Sequence, residues 1–68
     1  MKMTRLSIDM PPALKEKFDA LQARMGAATS IEVIRKAIAL LDLITTEEKN
    51  GAVILIQTNT KMERLKLL

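Results

Sequence analysis

The run "TSIEVIRKAIALLDLITTEE", residues 29–48, constrains this chain more than any other stretch. Read at helical spacing it carries two apolar stripes. Ile31, Ile34, Ile38 and Leu41 form one, and Val33, Ala37, Leu40 and Ile44 form the other. Together they cover well over half of the helix circumference, and a helix apolar nearly all round must be covered on several sides. The whole chain has only 68 residues, and a domain of that size buries little surface and usually needs a staple. It has no Cys and no His, so a disulfide is excluded and a zinc site would rest on carboxylates alone. Oligomerisation is the remaining remedy. A composition that is 49% apolar with a single aromatic residue fits it, and the expectation is a tight oligomer in which a second copy covers this helix.

The segment before it, "PPALKEKFDALQARMG", reads as a first helix from about Pro12 to Met25. Pro12 suits the first helical position, where its missing N–H costs nothing. Leu14, Phe18, Leu21 and Met25 follow at steps of four, three and four, and Gly26 stands where a left-handed residue ends a helix. A short "GAAT" leads to Thr29 and Glu32, spaced as a capping box. Thr45, Thr46 and the polar "EEKNG" end the second helix, with Gly51 as its stop signal. The tail "AVILIQTNTKMERLKLL" opens with an apolar run suited to a strand, followed by a "TNT" turn and a weakly alternating "ERLKLL". A hairpin is the expectation; spacings of three between Met62, Leu65 and Leu68 leave a helical turn as the alternative. Two segments result, residues 1–51 and a C-terminal extension, 52–68.

The first residues pose a separate problem. In "TRLSIDM", Leu6, Ile8 and Met10 alternate with Arg5, Ser7 and Asp9, which is the pattern of a strand with one covered and one open face. In one reading it pairs with the tail strand and its polar face meets water. In the other it pairs antiparallel with its own copy across a two-fold axis, giving a two-stranded ribbon over four helices. The small size and the all-round apolar second helix favour the second.

At this point "RLSIDMPPALKEKFDAL" and "GAATSIEVIRKAI" together resemble the ribbon-helix-helix family of DNA-binding proteins, the group that includes Arc and MetJ. The resemblance covers about residues 3–45. It implies a mainly α fold with short β, a β-α-α homodimer, to which this chain adds a C-terminal β-hairpin. It also implies that the ribbon enters the major groove of double-stranded DNA, where each base pair shows a distinct donor and acceptor pattern. The base-reading positions would be Arg5, Ser7 and Asp9. Arg5 is the strongest reader, since its fork matches guanine O6 and N7, whereas Ser7 discriminates less. Asp9 departs from the family, which more often has a neutral or basic residue there; a bond to local backbone at the entry to the first helix is its alternative role. Pro11, near the first N-cap, is a second departure. Phosphate would be held by the start of the second helix, at Thr29, Ser30 and Ile31, because free amides and the helix dipole favour an anion. Lys2 would add charge, and Lys15 or Lys17 would too unless they only solvate their helix. The dimer core would comprise Leu6, Ile8 and Met10 from the strand, Leu14, Phe18 and Leu21 from the first helix, and Ile34, Ala37, Ile38 and Leu41 from the second.

Catalysis has little to work with, since the usual general base and nucleophile are missing; no enzyme activity, cofactor or metal is expected. The net charge of +3 doubles in a dimer and suits a polyanion. No apolar run reaches the roughly 18 residues of a membrane span, and nothing resembles a signal peptide, so the cytoplasm is the expected location. The leading function is a sequence-specific DNA-binding homodimer that represses transcription by occupying a promoter. The alternatives are an antitoxin whose tail captures a toxin protein, a plasmid-control protein using the same DNA site, and a dimeric interaction module that does not touch DNA.

Overall fold

The computed structural model describes residues 3–5 and 7–68. Along the chain it has helix α1 (Pro12–Met25), helix α2 (Ser30–Lys49), and strands β1 (Ile54–Gln57) and β2 (Met62–Leu65). The order is therefore α-α-β-β, which overturns the expected β-α-α ribbon-helix-helix order. The described residues of the opening stretch, Thr4, Arg5 and Ser7–Met10, adopt no strand. The reason is pairing. Alternation sorts side chains between two faces but supplies no ladder partner. The tail strands do not supply one, because β1 pairs antiparallel with β2 alone in a two-stranded sheet.

The chain divides into two compact units, residues 1–33 and 34–68, with α2 beginning in the first and continuing through the second. In the first unit, α1 starts as the sequence dictates. Pro12 sits in the first turn, Pro11 precedes it with φ −59° and ψ 154°, and the Lys15 N–H donates to the Pro11 carbonyl at 3.0 Å. Pro11 makes no side-chain cap. Gly26 ends the helix in the left-handed region, at φ 65°. Its N–H donates to the Ala23 carbonyl and the Ala27 N–H to the Gln22 carbonyl, the paired bonds of a Schellman motif. Gln22 also ties α1 to the start of α2. Its amide donates to the Ala27 carbonyl and its oxygen accepts from the Ser30 hydroxyl, both at 3.4 Å.

In the second unit, Gly51 (φ 92°) closes α2 in the same way, with Gly51 N–H on the Glu48 carbonyl and Ala52 N–H on the Glu47 carbonyl. The chain then turns into the hairpin, in register Ile54 with Leu65 and Gln57 with Met62. "MERL" is thus a strand and not a helical turn. The tip is closed by the Thr58 N–H on the Lys61 carbonyl at 2.8 Å, and the Thr58 hydroxyl accepts from the Lys61 N–H. Ile54 and Leu65, opposite one another on one face, are the hairpin's half-buried residues. Beyond β2, the Leu67 N–H donates to both Glu48 carboxylate oxygens at 3.2 Å, which ties the end of the hairpin to the last turns of α2.

Burial within one chain is sparse. Val33 and Ile44, 4% and 8% exposed, are the buried residues among those described. Both come from the second of the two stripes on α2. The first stripe is largely uncovered: Ile31, Ile38 and Leu41 are all at least half exposed. No helix among the described residues is long and apolar enough to cross a membrane.

Candidate nucleic-acid interface

The expected contact residues that the structure describes fall in the first unit, at three places: ahead of α1, on α1 and at the start of α2. Ahead of α1, Arg5, Ser7 and Asp9 are all exposed. Their alternation with apolar residues does not become an inside and an outside in the single chain, since Ile8 is also exposed and Met10 only half-buried. Lys2 and Leu6 lie outside the described residues. Asp9 makes no bond to backbone at the α1 entry among the described residues, where Pro11 supplies only its carbonyl.

Another place is the start of α2. Thr29 caps it, accepting from the Glu32 N–H at a long 3.4 Å. The other half of the expected box differs. The Glu32 carboxylate accepts from the Ala28 N–H at 3.2 Å, one residue before the cap, instead of from Thr29. A glutamate has enough reach to take either amide, and spacing alone does not choose between them. The consequence is electrostatic. The amides of Thr29, Ser30 and Ile31 have no protein acceptor among the described residues and lie at the positive end of the helix dipole. Glu32 nonetheless holds a negative charge beside them, which opposes an incoming anion.

The α1 lysines separate. Lys15 is engaged in an exposed ion pair with Asp19 one turn along, the plain helical arrangement for such a pair. Lys17 instead lines a shallow recess of about 270 Å³ with Ala20, Leu21 and Arg24. Arg24 was invisible to sequence reasoning as a contact residue, because a cation in the last turn of a helix is sufficiently explained by the dipole. Its spacing of seven residues from Lys17, two helical turns, is the signal that would have found it.

The residues assigned to a dimer core are presented unevenly. Leu14, Leu21, Ala37, Ile38 and Leu41 are exposed with Ile8, whereas Met10, Phe18 and Ile34 are half-buried. No group of acidic residues among those described is placed to hold a metal ion. Compared with protein-family models, curated proteins and solved structures, the chain matches none of them.

Proposed function

We propose that the protein is a homodimeric DNA-binding protein that represses transcription by occupying its site. The observation that carries this reading is the presence, in one unit, of exposed Arg5 and Ser7 and of a helix start whose first amides have no acceptor among the described residues. These are the two kinds of group that DNA recognition uses. Side chains with directional donors read base edges, and backbone amides at a helix N-terminus hold phosphate and fix register. In the absence of a ribbon, Arg5 reaches a base edge from the arm ahead of α1, and Thr29, Ser30 and Ile31 seat a neighbouring phosphate. Lys17 and Arg24 add charge from one face of α1.

Dimerisation supports the same reading. Ile31, Ile38 and Leu41 are exposed on one apolar stripe of α2, on either side of half-buried Ile34, and exposed apolar residues grouped in this way mark a surface that another protein covers. A second copy doubles the net charge of +3 and supplies a second arm. The tail folds as a hairpin, a poor match for a charged disordered clamp around a toxin, so repression is preferred to toxin capture. On this reading the protein works where the DNA is, which agrees with the cytoplasmic location expected from the sequence.

The test is selection of duplexes from a random pool by the full chain, followed by titration of a selected duplex across a salt series. A preferred sequence is expected, with affinity falling steeply as salt rises, because bound cations leave the DNA when the basic protein docks. Recovery of no preferred sequence, or binding indifferent to salt, rejects the proposal.

A further inference from the structure

Among the described residues the hairpin has two open edges, and they differ in a way that the DNA reading does not use. The phase of its ladder follows from its tip. Thr58 and Lys61 lie directly opposite in the register and are joined by a backbone bond. Hydrogen-bonded and non-hydrogen-bonded pairs alternate along an antiparallel ladder. Ile56 with Glu63 and Ile54 with Leu65 therefore turn their backbone groups inward. Leu55 and Gln57 on β1, and Met62 and Arg64 on β2, turn theirs outward. A strand edge with unsatisfied amides and carbonyls is a template for a further strand unless it is blunted. On β2 the blunting is present: Glu63 and Arg64 lie in the strand and Lys61 and Lys66 flank it. On β1 it is missing. From Val53 to Gln57 there is no charge and no proline, and a two-stranded sheet alone is only marginally stable.

We infer that the outer edge of β1 pairs antiparallel with β1 of a second copy of this chain, centred on Leu55, giving a continuous four-stranded sheet. The register is set by self-complementarity. With Leu55 opposite the second copy's Leu55, Ile54 faces Ile56 and Val53 faces Gln57. The outward groups of Leu55 and Gln57 then find partners, and no charge opposes a like charge. The corresponding pairing of β2 edges centres on Glu63 or Arg64 and sets like charges against each other, which destabilises it. A two-fold axis normal to the sheet keeps Ile54 and Leu65 of both copies on the same face. The inference stands independently of DNA binding and of the stripe on α2.

Amide hydrogen exchange on the full chain, measured at high and low protein concentration, tests it without altering the sequence. The Leu55 and Gln57 amides are expected to be protected at high concentration and to lose that protection on dilution. The Met62 and Arg64 amides should exchange freely throughout, while Ile54 and Ile56 serve as inward-facing controls for an intact hairpin. Equal exchange at both edges, or protection at Leu55 that ignores concentration, overturns the inference. Leu55 and Met62 provide a matched pair of substitutions, being 54% and 55% exposed on the same face but on opposite edges. Leu55→Lys should abolish the protection of Gln57 while Ile54 and Ile56 stay protected. Met62→Lys should leave Gln57 protected, and an equal effect of the two substitutions contradicts edge pairing.

Discussion

Two glycines act as hard stops in this chain. Gly26 and Gly51 both adopt positive φ, and a Cβ built at either meets nothing within 4 Å. An alanine there is opposed by its own backbone conformation alone. Gly51→Ala is therefore expected to destabilise by about 1–2 kcal/mol, the usual penalty for a side chain in the left-handed region. Thermal unfolding against the wild type checks it; an unchanged midpoint would show that α2 ends differently in solution. At the other end of α2, Glu32 and Thr29 divide their work. Thr29→Ala removes the cap and should cost around 1 kcal/mol of stability as well as weakening every DNA complex. Glu32→Gln keeps a hydrogen-bond acceptor for the Ala28 N–H but removes the charge beside the amides of Thr29, Ser30 and Ile31. It should tighten binding to selected and scrambled duplexes alike, because phosphate contacts carry no sequence information. Weaker binding by this variant in a titration would place the phosphate elsewhere.

Among the elements, those with internal logic were legible in the sequence. Pro12, the 4-3-4 apolar spacing and Gly26 delimit α1 without reference to anything else, and Thr29 and Gly51 do the same for α2. The hairpin was legible from its apolar run and its turn. The opening strand was not, because a strand exists only with a partner and "TRLSIDM" states polarity alone. Likewise the site residues Arg5 and Ser7 were readable as exposed, while Arg24 and the reach of Glu32 to Ala28 depend on which neighbour a flexible side chain meets. The hairpin lies outside the unit that holds the candidate contacts. A chain truncated after Gly51 is thus expected to retain a preferred duplex, with a less stable fold because the Glu48 bonds to Leu67 are gone. Circular dichroism and a duplex titration on the truncated chain decide this. Loss of all DNA binding by a truncated chain that remains helical would assign the hairpin a direct role.

For the whole molecule, a single chain that buries only Val33 and Ile44 among its described residues has little to hold it together, and the account makes association part of folding. The melting temperature should therefore rise with protein concentration, as mass action requires. Ile38→Asp, placing a charge in the centre of the α2 stripe, should abolish folding or leave an unstable monomer, since an unpaired charge would be covered on association. A concentration-independent melt together with a monomeric mass would contradict both expectations. The central claim is that this dimer reads DNA through Arg5. The direct measurement is a titration of wild type and Arg5→Ala against a selected duplex and its scrambled counterpart at one fixed salt concentration. The account predicts a loss of about 1–3 kcal/mol on the selected duplex, with little further loss on the scrambled one, so that the preference narrows. Equal affinity of Arg5→Ala and wild type for the selected duplex would contradict it.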